Sequence, residues 1–103
     1  MNIIWLIFSH FIGDIALQNS WQSDNKGRLW YAMFSHCMIW TGAICITLQF
    51  LGIFVLWKAL FLLIGHYLID SWRVKRMKTE ETTKDLYLDQ SLHILQIIIV
   101  YLL

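Results

Sequence analysis

The sequence has no proline, only two cysteines and few charged residues. Charged side chains make up 15% of the 103 residues, and the formal net charge is +1 at pH 7. This balance provides no broad basic surface, so we expect no nucleic-acid partner. The absence of proline argues against a disordered or loop-rich chain. Cys37 and Cys45 would lie about 12 Å apart on one helix, beyond the reach of a disulfide, so we expect free thiols.

Apolar residues dominate the chain instead. Hydrophobic residues make up 58% and aromatic residues 16% of the sequence, whereas a soluble domain has about 25% charged and under half apolar residues. Four apolar segments each approach the roughly 20 residues that a membrane span requires. They cover residues 2–19, 29–49, 53–72 and 86–103. The sequence therefore predicts an all-α fold, a four-helix transmembrane bundle that forms one integral-membrane domain over residues 1–103, with a turn near Gln49 and Gly52.

The basic residues predict an orientation for this bundle. Seven of the eight lysines and arginines lie in the polar stretches 20–28 and 73–85, and Lys58 is the exception. Cytoplasmic loops carry an excess of lysine and arginine. We therefore expect a multi-pass protein with both polar loops in the cytoplasm, both termini outside and membrane lipid as its surrounding partner.

Seven ionisable residues interrupt the predicted spans, and they include every histidine in the chain. Each costs about 2.5 to 3.5 kcal/mol at the centre of a membrane helix, so such residues mark function by default. Six of them form three pairs with i, i+4 spacing, which places both members of a pair on one helix face. All four imidazoles are predicted at one depth, roughly 9–14 Å from the cytoplasmic boundary. The seven residues are His10, Asp14, His36, His66, Asp70, Asp89 and His93.

Four histidines and three aspartates in one layer are typical ligands of a divalent transition metal. Imidazole favours zinc, iron or copper, and carboxylates add affinity for manganese, so zinc is the first expectation and manganese or iron the alternatives. Three ligands could hold one metal with an open position, and seven groups could hold two. A single His–Asp pair is explained better as a polar contact between helices than as a metal site. Three pairs and a fourth histidine at one depth favour a shared site.

Four motifs in this layer resemble those of one protein family. They are H-F-I-G-D-I-A-L-Q at residues 10–18, the isolated His36, H-Y-L-I-D at 66–70 and D-Q-S-L-H at 89–93. The combination resembles DUF3307, a family of small bacterial and phage membrane proteins of unknown function. The resemblance implies an integral protein of the bacterial inner membrane but no activity. The H-x-x-x-D pattern is also similar to motifs of membrane-bound metal-dependent hydrolases and to zinc sites of cation-diffusion transporters.

The first functional hypothesis is a metal-dependent hydrolase acting on a lipid-linked or phosphate-bearing substrate at the cytoplasmic leaflet. The four histidines would be ligands, and the three aspartates would act as ligands, general base or orienting groups. The alternatives are an oligomeric metal or proton transporter and a membrane regulatory protein with a structural metal. Residues 44–56 and 97–103 are almost entirely apolar. This one-sided distribution favours a closed pocket over a transport pathway.

Overall fold

The computed structural model describes residues 2–79 and 83–103, and every regular element in these ranges is helical. The all-α prediction is therefore confirmed. The elements are α1 (Ile3–Phe11), a π-helical turn (Ile12–Ala16), α2 (Ser20–Asn25), α3 (Trp30–Phe50), α4 (Leu56–Thr79) and α5 (Thr83–Leu102).

The stretch 20–28, predicted as a loop, contains the short helix α2. Asn19 forms a capping box with Gln22: its side chain accepts a hydrogen bond from the Gln22 backbone N–H at 2.8 Å, and the Gln22 side chain accepts one from the Asn19 backbone N–H at 3.4 Å. These two bonds satisfy donors that a helix start otherwise leaves unpaired. The Gln22 side-chain amide also donates to Ser35 Oγ at 2.9 Å, which fixes α2 against α3.

The predicted turn between the second and third apolar segments is present. Gly52 has a φ of +77°, in the left-handed region that glycine adopts without steric cost. Lys58 is buried and donates to the Ile53 carbonyl at 2.8 Å, so it closes this turn.

The prediction of a second loop at residues 73–85 is wrong over most of this range. Helix α4 continues through Arg73 to Thr79, and α5 begins at Thr83. Residues 80–82 lie outside the described residues. The stretch 73–79 has no glycine or proline to end a helix, and lysine, arginine and methionine are good helix formers.

Four long elements pack as a closed ring. Helix α3 packs on α1 and α4, α5 packs on α4 and α1, and α2 lies against α3. An apolar core fills one end of the bundle, and the histidines and aspartates fill the other; Trp40 lies where the two meet, with its ring stacked on His66 at 4.2 Å between centroids. The core residues are Leu6, Trp40, Ile44, Leu48, Leu62, Ile97 and Val100.

Among the described helices, one is long and apolar enough to cross a membrane. It is Trp30–Phe50, and 44% of its most apolar 18-residue stretch is buried inside the bundle. The segments Ile3–Ala16 and Tyr87–Leu102 are apolar but shorter. The core helix of a soluble protein can have the same length and composition, so this is weak evidence for a membrane. The predicted four-span arrangement thus has support from a single helix.

Candidate metal centre

The π-helical turn in the first segment places Asp14 at the centre of the bundle. Helix α1 ends at Phe11, and the turn that follows has the wider i→i+5 bonding, as in the 2.8 Å bond from the Leu17 N–H to the Ile12 carbonyl. Gly13 permits the close approach of this turn to α3, because a Cβ there would lie 2.9 Å from Trp40 Cα. Asp14 consequently meets groups from α3 and α4.

Asp14, His36, His66 and Asp70 form a compact set, here called the first group. His36 Nε2 lies 3.2 Å from His66 Nε2 and 3.2 Å from Asp14 Oδ1. Asp70 Oδ2 lies 3.1 Å from His36 Nε2 and 3.2 Å from His66 Nε2, and the His66-to-Asp14 distance is 3.7 Å. Ligands bound to zinc at 2.0–2.2 Å in a tetrahedron are about 3.3–3.6 Å apart. The first group therefore has the dimensions of a four-ligand metal site.

Asp70, Asp89 and His93 form a second group. His93 Nε2 lies 3.0 Å from Asp70 Oδ1 and 3.4 Å from Asp89 Oδ1. Asp70 belongs to both groups and directs Oδ2 to the histidines of the first group and Oδ1 to His93 of the second. A carboxylate in this position can bridge two metal ions.

The hydrogen bonding of the first group is incomplete without a cation. Asp70 Oδ2 is buried and has no hydrogen bond of acceptable geometry, although it lies beside two imidazole nitrogens. His36 Nε2 has three close polar neighbours, and one ring N–H cannot serve all three. Buried carboxylates without compensation are costly. A divalent cation among these atoms would satisfy the oxygen and both nitrogens together.

His93 is oriented for the second group by Gln96. The Gln96 side-chain N–H donates to the Phe61 carbonyl at 3.3 Å, so its oxygen faces His93 Nδ1 at 3.4 Å. An oxygen accepts only, and Nδ1 therefore carries the proton. Such a contact fixes the imidazole and directs Nε2 toward a metal.

His10 lies outside both groups. Its Nδ1 accepts from the Trp40 indole N–H at 3.0 Å, and because indole can only donate, Nε2 carries the ring proton and donates to Gln90 Oε1 at 2.9 Å. Both ring nitrogens are engaged with protein groups. This differs from the expected ligand role, because the π-helical turn separates His10 from the contacts that Asp14 makes.

Gln90 connects His10 to both groups. With its oxygen bonded to His10, its side-chain amide nitrogen donates to Asp14 Oδ2 at 3.3 Å and to Asp89 Oδ2 at 3.1 Å. The two Oδ1 atoms are left facing the histidines. A directional chain thus runs from Trp40 through His10 and Gln90 to one carboxylate of each group.

A cavity of about 240 Å³ adjoins the centre on the side of the carboxylates. Lys26 Nζ lies 3.9 Å from Asp70 Oδ2, and Arg73 Nη1 lies 3.6 Å from Asp89 Oδ2. Sequence reasoning assigned both cations to the polar loops and did not place them beside these carboxylates. Arg73 follows Asp70 by three residues on α4, a spacing that places both on one helix face and could have revealed it. The cavity is lined by Asp14, Lys26, Asp70, Arg73, Val74, Asp89 and Gln90.

These features define an all-α bundle with a buried cluster of histidines and aspartates, whose two groups could each hold a metal ion. The chain belongs to the family described as a protein of unknown function, DUF3307, whose model matches residues 3–103. The resemblance inferred from the motifs is confirmed at the level of the family. No curated protein and no solved structure matches the chain.

Proposed function

We propose that this chain is a membrane-embedded protein with a dinuclear metal centre, and that it hydrolyses a lipid-linked or phosphate-bearing substrate at the cytoplasmic leaflet. The main support for a dinuclear centre is the position of Asp70, which directs one carboxylate oxygen to each of the two groups of possible metal ligands. The first group supplies four protein ligands and the second supplies three. Three-ligand sites leave a position for water or substrate, as catalytic zinc sites do.

The donor set favours zinc. Two imidazoles and two carboxylates whose ligand atoms lie within 4.8 Å of one another suit it, and the carboxylate share also admits manganese or iron. When bound, such metals lower the pKa of a coordinated water and polarise a phosphoryl or carbonyl oxygen.

The residues at the cavity supply the rest of the chemistry. With metal bound, a carboxylate of Asp14 or Asp89 would accept the proton of the attacking water and would return it to the leaving oxygen as the bond from that oxygen to phosphorus or carbon breaks. Both carboxylates line the cavity, and Gln90 holds one oxygen of each. Their orientation is therefore set before substrate arrives.

The distribution of polarity supports a membrane location. All four imidazoles have 0% exposure, whereas Ile46 is 73%, Leu68 64% and Leu95 50% exposed. A water-soluble bundle places these classes the other way round. A lipid environment accounts for an apolar exterior around a polar interior.

Helix length supports the same location. Helices α3, α4 and α5 have 21, 24 and 20 residues, so each is about 30–36 Å long, close to the roughly 30 Å of a hydrocarbon core. The polar residues of the centre and the charged end of α4 lower the mean hydropathy of α4 and α5. The centre then lies on the cytoplasmic side with Lys26 and Arg73, and both termini lie opposite.

The apolar core weighs against transport. Ile44 and Leu48 of α3 are fully buried in the apolar core, together with residues of the other long helices. A path through one chain would have to cross this core. We therefore favour a closed site over a metal or proton pathway.

Elemental analysis of the detergent-purified protein tests the metal centre. We expect two metal ions per folded chain, and a large loss in His66→Ala, while exposed Asp24→Asn retains both. Far-UV circular dichroism confirms folding in each case. A folded wild type that stays metal-free after incubation with zinc, manganese and iron would refute the proposal.

Two further assays test the location and the activity. The protein should stay with membranes after a carbonate wash, and its recovery in the wash would contradict the membrane assignment. Hydrolysis of phosphodiesters and lipid esters should require metal and should be lost in His66→Gln with folding retained. Loss of folding together with activity in that variant would indicate a structural metal.

A further inference from the structure

We propose that Lys26 and Arg73 form a binding subsite for a terminal phosphate group, and that this subsite becomes attractive to anions only when the metal centre is filled. The inference rests on the proposed metal centre, and it identifies phosphate as the chemical group that binds in the cavity beside that centre. It concerns two residues that the motifs of the sequence do not include.

The two cations reach the cavity from different elements. Lys26 follows α2 directly and is the C-cap residue of that helix, whereas Arg73 lies in α4. Their side chains are 22% and 13% exposed, so both are largely enclosed. Lys26 pairs with Asp70 and Arg73 pairs with Asp89, which places one positive charge beside each metal group.

The formal charge of the cavity depends on metal. Three carboxylates and two cations line it, so it carries one net negative charge when the histidines are neutral and metal is absent. Two divalent ions would make the same cavity positive by three charges. An anion therefore binds much more favourably in the second state than in the first.

The chemistry of the two cations favours phosphate. Arginine presents a planar fork that bonds two phosphate oxygens together, and lysine adds a compact point charge. A phosphate that bridges them would also place an oxygen or phosphorus next to the metal groups, because both cations lie within 4 Å of metal-type carboxylates.

The size of the cavity limits what enters. Its volume is about 240 Å³. Pockets for whole drug-sized ligands start at about 300 Å³. The cavity accepts a phosphate with a small attached group, and the remainder of a larger substrate must lie outside it.

Equilibrium dialysis with radiolabelled inorganic phosphate tests the subsite. We expect zinc-loaded wild type to bind phosphate and the chelator-treated protein to bind it at least tenfold more weakly. Lys26→Met and Arg73→Met should each weaken binding at least tenfold with the metal content unchanged. The matched controls Lys84→Met and Arg28→Met, at exposed positions that do not line the cavity, should stay within twofold of wild type.

The outcomes separate this inference from the metal proposal. A wild type without metal refutes the proposed function itself. A metal-loaded wild type that does not bind phosphate, or Lys26→Met and Arg73→Met variants that bind as tightly as the controls, overturns the subsite alone. If Arg73→Met does not fold, Arg73→Lys replaces it in the comparison. Phosphate binding as tight as in wild type in both single variants, Arg73→Lys and Lys26→Met, then overturns the subsite equally.

Competition identifies the source of the phosphate. Displacement of the label by phosphatidic acid in nanodiscs, but not by phosphatidylcholine nanodiscs, supports a lipid phosphate. Displacement by glycerol 3-phosphate and not by phosphatidic acid supports a soluble phosphate monoester. Failure of both to displace the label contradicts a phosphate-ester subsite.

Discussion

Replacement of Gln90 by leucine tests whether the carboxylates of the two groups are held in place by the chain that starts at Trp40. The leucine keeps the approximate volume and removes three hydrogen bonds: one accepted from His10 and two donated to Asp14 and Asp89. Each carboxylate then loses the contact that directs its other oxygen toward the histidines.

The expected magnitude follows from the number of ligands that Gln90 orients. Loss of one outer hydrogen bond to a metal ligand weakens binding by about 10- to 100-fold, which corresponds to roughly 1.4–2.8 kcal/mol. Gln90 contacts one ligand of each group, so we expect this loss at both metals and not at one.

Competition titration with a chelating indicator measures both affinities. Gln49→Leu is the matched control, because Gln49 is exposed and lies at the opposite end of α3 from His36. If Gln90→Leu binds two metals as tightly as Gln49→Leu does, then Gln90 does not position the carboxylates and the interpretation of the chain is wrong.

Three further results are expected. Gly13→Ala should lower the free energy of unfolding by about 1–3 kcal/mol, because its Cβ would lie 2.9 Å from Trp40 Cα. Gly42→Ala, which has open space around the new Cβ, should leave the free energy of unfolding unchanged. Thermal unfolding in detergent compares the two variants, and equal losses of stability would contradict the close approach of Gly13 to α3. Asp70→Asn should lose both metals and His93→Gln only one, and elemental analysis showing one ion left in Asp70→Asn would rule out a shared carboxylate. Metal affinity should fall on acidification, because protons compete for the ligand nitrogens; affinity unchanged between pH 8 and pH 5.5 would exclude histidine ligands.

The i, i+4 spacing predicted part of the centre correctly. His66 and Asp70 are one turn apart on α4 and approach to 3.2 Å, and Asp89 and His93 do the same on α5 at 3.4 Å. These contacts follow from helix geometry alone, so the sequence is sufficient to predict them.

The same spacing did not predict the contacts of His10 and Asp14. A π-helical turn begins at Ile12, so Asp14 meets His36 while His10 meets Trp40 and Gln90. The wider turn depends on packing of the first segment against α3. No local pattern of residues specifies that packing.

The position of the two cations at the cavity was not predicted, for a different reason. Lys26 and Arg73 were assigned to the cytoplasmic loops because most basic residues fell in the two polar stretches. Helix α4 instead continues past Arg73, and the capped helix α2 brings Lys26 to the same place. Charge counting predicts the side of a membrane but not which charges turn inward.

The sharing of the centre among helices has a consequence for how the chain is held together. Cys37 and Cys45 are free thiols, so the described chain has no covalent cross-link between its helices. A metal in the first group would join α3 and α4 to the turn that follows α1, and a metal in the second would join α4 to α5. Such ions close long loops much as disulfides do, and they restrict the unfolded chain most when the joined residues are far apart in sequence. The two metal ions would then cross-link the first and last helices of the bundle to the middle pair, α3 and α4.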